Sequence, residues 1–559
     1  MPSCLGPIAY PSPSLLRLAR TAAISSLMED GFPYSKRLRG HTSCVNALAF
    51  SSGGGRWLAS GGDDPYILLW DLHQGETGLN VPSVRLRGHR ANIFSVAFSA
   101  TSQYLYSGAT DNTILRFDLG RLSSSPNPRK PEMSIDRHLG SIRDLSCHPE
   151  QDEVSLSASG DGRIILHDYR AGSSLSAAQG TLQEQAEFSG VRYHPTMPHI
   201  FATSNVLGEI CLRDTRMAFG PLSQRKQNGI VHRYVTTIVK STSLHLYVPE
   251  VSSIAFDSTG TKLAATFLNY RPTIYALSDP YPVATCNGSR LPDGSRVPEG
   301  ERTYSNSCTM KHGSFGGPAM DTDPYYCAGS DDFRTYMWKI PETSLLQTER
   351  QVISLDDWIS GVHPDTVGFA TSMSEPRRVP VELSVPLCRL GGHASIVNTA
   401  LMHPTLPILA TAGIERTVVL HSPTPSCPIT TPIYSETSHS HTSSSATPVA
   451  NPSSRHADGF ARTPTAVRAL PPATDAARTR AIRAMVSGTV TAADDADSSE
   501  DLDDDEESST LALFDEILRQ EGNGDVFTLR RAAHLFAPDS DSEPEADDDS
   551  DDNIGATAR

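Results

Sequence analysis

Two stretches of the chain end an apolar run with an acid and an arginine two positions apart. They read IILHDYRAG, with Asp168 and Arg170, and ICLRDTRMA, with Asp214 and Arg216. A guanidinium is planar, permanently charged and forked, so it suits carboxylates and carbonyls on a partner, and arginines are frequent interface anchors. The plainer reading is that each arginine ends a strand and pairs with its own aspartate, an exposed pair contributing about 0 to 1 kcal/mol. The recurrence makes the question one about a repeating unit.

A second polar set lies earlier. His41, Ser60, Asp64 and Trp70 are spaced so that an imidazole bridges a turn carboxylate and a strand hydroxyl, with the indole N–H as a further donor. Such a network satisfies buried groups and pins a turn, which is structural chemistry. Catalytic patterns are missing: there is no GxSxG, no Walker loop and no HExxH, and the histidines fall mainly at repeat positions. The glycines Gly53 to Gly55 lie in a turn without a strand-to-helix context for phosphate. Nine cysteines without a CxxC pair argue against a zinc site or a disulfide scaffold. No cofactor is expected and no metal, and no run of about 18 apolar residues suggests a membrane span.

The elements that position these residues repeat. RGHTSCVNALAF with LASGGDDPYILLWD is followed by RGHRANIFSVAF with LYSGATDNTILRFD, then by RHLGSIRDLSCHP with LSASGDGRIILHD. Asp71, Asp118 and Asp168 are 47 and 50 residues apart, close to the period of roughly 40 to 45 residues of a propeller blade. Unit two keeps His89, Ser107 and Asp111 with Phe117 in place of Trp; unit three keeps His138, Ser157 and Asp161 with His167 in that place. Weaker units span 188–214, 251–277, 307–338 and 391–421, which makes seven. An all-β, seven-bladed propeller over 36–421 is therefore expected, with SKRLRG supplying the outer strand of the last blade and joining the ends of the ring. Residues 341–388 read as an insertion between units six and seven, and 278–303 as a second departure, both projecting as loops.

This punctuation resembles the WD-repeat superfamily over roughly residues 37 to 421. More narrowly, GHTSCVNALAFSSGGGRWLASGGDD, SNSCTMKHGSF, AGSDDFRTYMWKIP and GGHASIVNTALMHP look like one branch of the substrate receptors that dock on the damaged-DNA-binding adaptor of cullin-4 RING ubiquitin ligases. The resemblance implies a non-catalytic subunit, residing in nucleus or cytoplasm, that binds the adaptor and presents an unidentified protein substrate for ubiquitination. In that family a Trp-Asp-x-Arg box ends two consecutive repeats and its arginine faces the adaptor. Carried over by residue, Asp168 and Arg170 match the box in unit three, and Asp214 and Arg216 match it in unit four. The tryptophan is His167 in one and Arg213 in the other, so both boxes are incomplete. The alternative is a scaffold or histone- and chromatin-binding propeller without a ligase, because a propeller by itself names no function.

The ends carry different chemistry. In residues 1–35, SLLRLARTAAISSL has two arginines and no acid before Glu29, and it places Leu16, Ala19, Ala23 and Leu27 at helical spacing. It reads as a weakly structured arm, a targeting presequence or a docking helix. From Ser422 onward 26 acids face 10 bases, a net of −16 out of −17 for the chain, so the body is nearly neutral. That gives no reason to expect direct nucleic-acid binding, although a local basic patch remains compatible with it. The linker 422–510, rich in Ser, Thr and Pro and then acidic, and the tail 538–559 have the composition of disordered, solvated chain. Ser498, Ser499, Ser540 and Ser542 sit in acid blocks suited to acid-directed kinases. Within 511–537, Leu511, Phe514, Ile517 and Leu518 form the apolar face of a short helix that packs back or recruits a partner.

Overall fold

The computed structural model describes residues 13–74, 79–121, 130–170, 176–242, 245–299, 301–318, 320–360, 366–425 and 461–462. The tail-helix residues Leu511, Phe514, Ile517 and Leu518 and the four tail serines lie outside them.

Seven sheets, antiparallel except for one added edge strand, follow one another along the chain, each a blade. The first consists of Val45–Phe50, Trp57–Gly62, Tyr66–Asp71 and Val84–Arg87, paired in that order. Its second and third strands are buried along nearly their whole length, because each blade face is covered by the neighbouring blade. That explains why LASGG and YILLWD read as continuous apolar or small runs where a half-exposed sheet would alternate. The apolar layers between blades are mixed in origin: Leu58, Leu68 and Trp70 of the first blade pack with Ile408, Ala410 and Val418 of the last.

The ring closes as the sequence expects. Tyr34–Arg39 pairs antiparallel with Thr417–Ser422 from Tyr34↔Ser422 to Arg39↔Thr417, so one sheet is built from both ends of the propeller. Ala461–Arg462 then pairs with Ser35 and Tyr34 on the outer edge of that same blade. Two His-Pro turns latch adjacent blades. His403 donates from Nε2 to the Gly55 carbonyl at 3.1 Å, and His194 does the same to Gly260 at 2.9 Å. Their Nδ1 atoms accept from backbone N–H groups of Thr405 and Leu406, and of Thr196 and Met197. Both glycines have positive φ, +72° and +73°, and a Cβ on either would collide with the imidazole.

Two expected loops turn out to be structured. Residues 341–388 hold the helices Thr343–Glu349 and Leu355–Ile359, and they add an eighth sheet, Ile238–Lys240, Val367–Phe369, Arg377–Val379 and Gln351–Ile353. Buried Trp358 packs there with Val239 and Ile353. The segment also gives Val381–Leu383, a parallel fifth strand on the fifth blade, and Cys388–Leu390, the outer strand of the sixth. In the other segment, Pro282–Cys286 is the outer strand of the fifth blade. The period of the repeat hid the three-residue strands of the first segment because so short a strand carries too little alternation to register.

The N-terminal arm contains a helix, Pro13–Glu29. Ile24 and Met28 pack with Tyr325, Met337, Cys388 and Met402 at the seam of the last two blades. Residues 17–23 are exposed on all sides, Leu18 at 68%. The weakly structured arm is thus a helix held at one end.

Candidate functional site

Each of the first four blades ends its third strand on an aspartate: Asp71, Asp118, Asp168 and Asp214. Because the blades share one strand order, these ends emerge on one face of the ring. Each carboxylate accepts from the backbone N–H two residues on, at His73 (3.1 Å), Gly120 (2.9 Å), Arg170 (3.1 Å) and Arg216 (2.9 Å). This turn is what short acidic side chains favour at strand ends. It also accounts for the spacing of two: the residue whose N–H is held starts its side chain beside the same carboxylate.

An arginine grips every one of these aspartates. Arg170 donates from Nε to Asp168 at 2.8 Å and from Nη2 at 2.5 Å, and its Nη1 reaches Gln151 at 2.8 Å. Arg216 grips Asp214 from Nε at 3.0 Å and Nη2 at 2.6 Å, and its Nη1 has no acceptor among the described residues. The Arg216 hydrogen bonds hold the Asp214 carboxyl below its ordinary range. In blade one the fork comes from Arg56, fifteen residues before Asp71, at 3.0 and 2.7 Å, and in blade two Arg121 meets Asp118 at 3.0 Å. The local pairing weighed in the sequence is therefore real. It leaves Arg170 half exposed, its fork shared between Asp168 and Gln151, and Arg216 67% exposed, aimed by Asp214 with its Nη1 edge turned outward.

The N-terminal helix belongs to the same face. Lys339 ends the third strand of blade six and donates to Glu29 of the helix at 2.8 Å. The seated end of the helix thereby lies on the face at which the arginine forks emerge.

The polar networks inside the blades match their sequence reading. His41 Nδ1 lies 2.9 Å from Asp64, His41 Nε2 lies 2.7 Å from Ser60 Oγ, and Trp70 Nε1 donates to that hydroxyl at 3.0 Å. In blade three His167 takes the tryptophan's place, with Nε2 2.8 Å from Ser157 Oγ, and burial keeps its pKa well below the ordinary value. In blade four Arg213 does so: buried, it donates from Nε to Thr203 at 2.9 Å, from Nη1 to the Asn228 carbonyl at 2.8 Å and from Nη2 to Glu184 at 2.5 Å. Both incomplete boxes therefore retain a ring or guanidinium nitrogen at the strand hydroxyl. Sequence reasoning scored Arg213 as a loss and missed Glu184, whose only signal is an acid 29 residues upstream.

The central channel carries Asp144, Arg192 and His312. Asp144 is filled by Arg192 (2.5 Å), the Val191 N–H (3.0 Å) and Ser95 (3.2 Å), which makes it a brace between blades. Burial pushes His312 down to about 4. Among the described residues no group of His, Cys, Asp and Glu is arranged to hold a metal, and no helix is long and apolar enough to cross a membrane.

The family model described as "WD domain, G-beta repeat" matches residues 33–71 and 80–118, the first two units. The DDB1- and CUL4-associated factor 5 of Mus musculus, like that of Homo sapiens, is 30% identical over 391 residues. The chain belongs to the WD-repeat family, in the branch of that associated factor. The alignment covers 70% of this chain and 34% of either relative, so the chain spans about a third of their length. Protein ALTERED SEED GERMINATION 2 of Arabidopsis thaliana is 33% identical over 154 residues, 27% of this chain and 20% of that protein. The WD-repeat branch read from the motifs is thus the one these similarities give.

Proposed function

We propose that this propeller is a non-catalytic substrate receptor of a cullin-4 RING ubiquitin ligase, working by proximity in nucleus or cytoplasm. Arg170 and Arg216, held by Asp168 and Asp214, dock on the damaged-DNA-binding adaptor, and the helix Pro13–Glu29 is a second docking element. The opposite face and the structured insertion are left to hold a protein substrate. One observation carries this reading: two forks on consecutive blades share a face with the seated last turn of a helix whose residues 17–23 are exposed. Exposed arginines held in one rotamer lose little freedom on binding, which favours them as anchors. The names of the relatives point to the same partners.

The test is co-purification of the tagged chain and of an Arg170→Ala, Arg216→Ala variant, read for adaptor and cullin subunits, with thermal melts of both. Each arginine is exposed, so folding should change by less than about 1 kcal/mol, whereas anchors that contribute about 2 kcal/mol each weaken adaptor binding by roughly a thousandfold together. A folded wild-type chain that retains neither subunit refutes the receptor reading. A folded variant that retains both refutes the assignment of the arginines.

A further inference from the structure

A strongly basic recess lies at the rim between blades three and four. Arg137, Arg163, Arg225 and Arg233 line an open groove of about 1220 Å³, with Thr181 and Gln183 of one outer strand and Ile230 of the next. Its one lining carboxylate, Glu184, is already taken by buried Arg213.

The arginines are poorly compensated. Arg225 donates only to carbonyls among the described residues: Gly220 (3.1 Å), Thr181 (2.7 Å), Ala178 (2.7 Å) and Gln179 (2.9 Å). Arg137 likewise reaches the Leu166 and Ala177 carbonyls at 3.5 and 3.3 Å. Arg163 meets the Gln183 side-chain oxygen at 2.7 Å, and Arg233 meets Glu209 at 3.1 Å in a largely exposed pair. Burial lowers the Arg225 pKa, the mark of a cation with no carboxylate at hand. Carbonyls fix the guanidinium planes without neutralising them, so the recess is built for an anion.

We propose that this groove docks the chain's own acidic block, residues 494 to 507, within the same molecule. That block holds ten acids in fourteen residues, DDADSSEDLDDDEE, in a chain whose body is otherwise nearly neutral. A run of carboxylates, extended, matches an open groove with several guanidinium forks along it. The reach is sufficient. Arg462 is pinned to the outer edge of the last blade, and the 32 residues from there to Asp494 span at most roughly 110 Å. Four strands at about 4.8 Å spacing set the rim some 20 to 25 Å from the axis, so half the circumference is about 75 Å. Tethering supplies an effective concentration on the order of millimolar, enough to fill a site of modest intrinsic affinity. The proposal does not depend on the adaptor reading, because the groove is formed by other residues than the two forks.

Fluorescence anisotropy with a labelled peptide of residues 494–507 tests it on full-length chains. One chain is wild type, one has Asp→Asn and Glu→Gln at all ten acids of the block, and one adds Arg163→Gln and Arg233→Gln to the second. Thermal melts check each, and Arg233→Gln alone serves if the double change unfolds. The expected result is peptide binding to the neutralised chain, about tenfold weaker binding to wild type through competition from the tethered block, and about tenfold weakening by the arginine changes. Binding should also fall between about 50 and 200 mM salt. Equal binding to wild-type and neutralised chains overturns the proposal, including the case in which residues 539–552 fill the groove instead. Binding indifferent to the arginine changes overturns it as well.

Discussion

Replacing Arg213 with Met tests whether an incomplete repeat box has been rebuilt around a buried ion. The guanidinium is 1% exposed and satisfies three groups at once: the Thr203 hydroxyl, the Asn228 carbonyl and the Glu184 carboxylate. Removing one partner of a buried pair costs about 3 to 5 kcal/mol, since the surviving charge stays desolvated. Glu184 keeps only 16% of its side chain exposed, so water cannot fully take over. Allowing for partial relaxation, about 4 kcal/mol is expected for Arg213→Met. With an m value of about 3 kcal/mol per M or more, the urea midpoint falls by about 1 M. Arg213→Trp, which restores the family's box, should also destabilise: its indole N–H can serve Thr203 as Trp70 serves Ser60, but Glu184 is left alone. Adding Glu184→Leu to Arg213→Trp should recover most of the loss, so the cycle of single and double variants shows a strong favourable coupling. An Arg213→Met chain within about 1 kcal/mol of wild type refutes the reasoning, and so does a double variant no better than Arg213→Trp.

Three further outcomes follow from the same geometry. Burial pushes His403 down to about 4 and His421 down to about 3; the unfolded chain then binds more protons below about pH 6.5, so stability falls as pH drops from there toward 4. The His403 share is about 3 kcal/mol, and urea midpoints measured from pH 7 to 4 should show it, flattened in His403→Gln; a midpoint flat over that range contradicts it. Gly260→Ala, at a φ of +73° and with its Cβ against His194, should cost at least about 2 kcal/mol in equilibrium unfolding, and an unchanged stability would show that the latch yields freely. Ser60→Ala leaves both His41 Nε2 and Trp70 Nε1 without a partner, a loss of about 1 to 3 kcal/mol by the same measurement; an unchanged value means the tetrad is ornamental to stability.

The seven-fold repeat, the closing strand and the first tetrad were legible in the sequence because each depends on local signals. Apolar runs bounded by Gly and Asp turns set the strands, and His41, Ser60, Asp64 and Trp70 recur at spacings that one blade fixes. The Asp-x-Arg pairs were legible for the same reason: the carboxylate holds the backbone two residues on, so the arginine's position follows from the turn. The eighth sheet was not legible, since its strands are three residues each and one of them, Ile238–Lys240, lies more than a hundred residues from its neighbour Val367–Phe369. Arg56 on Asp71 and Glu184 on Arg213 escaped likewise, because nothing in the spacing marks them as partners.

The sequence by itself thus determined the class of the chain: a neutral, repeating, all-β body with its negative charge displaced to one end, and two arginines set at strand ends. Hydrophobic period and turn chemistry act over a few residues, and a blade repeats them. Only the tertiary structure decided that the forks and the seated end of the N-terminal helix share one face, that Arg213 completes its blade from an unexpected direction, and that four arginines from two blades converge on one groove. Those facts arise where separate blades meet, and closing the ring brings together side chains that no local pattern relates.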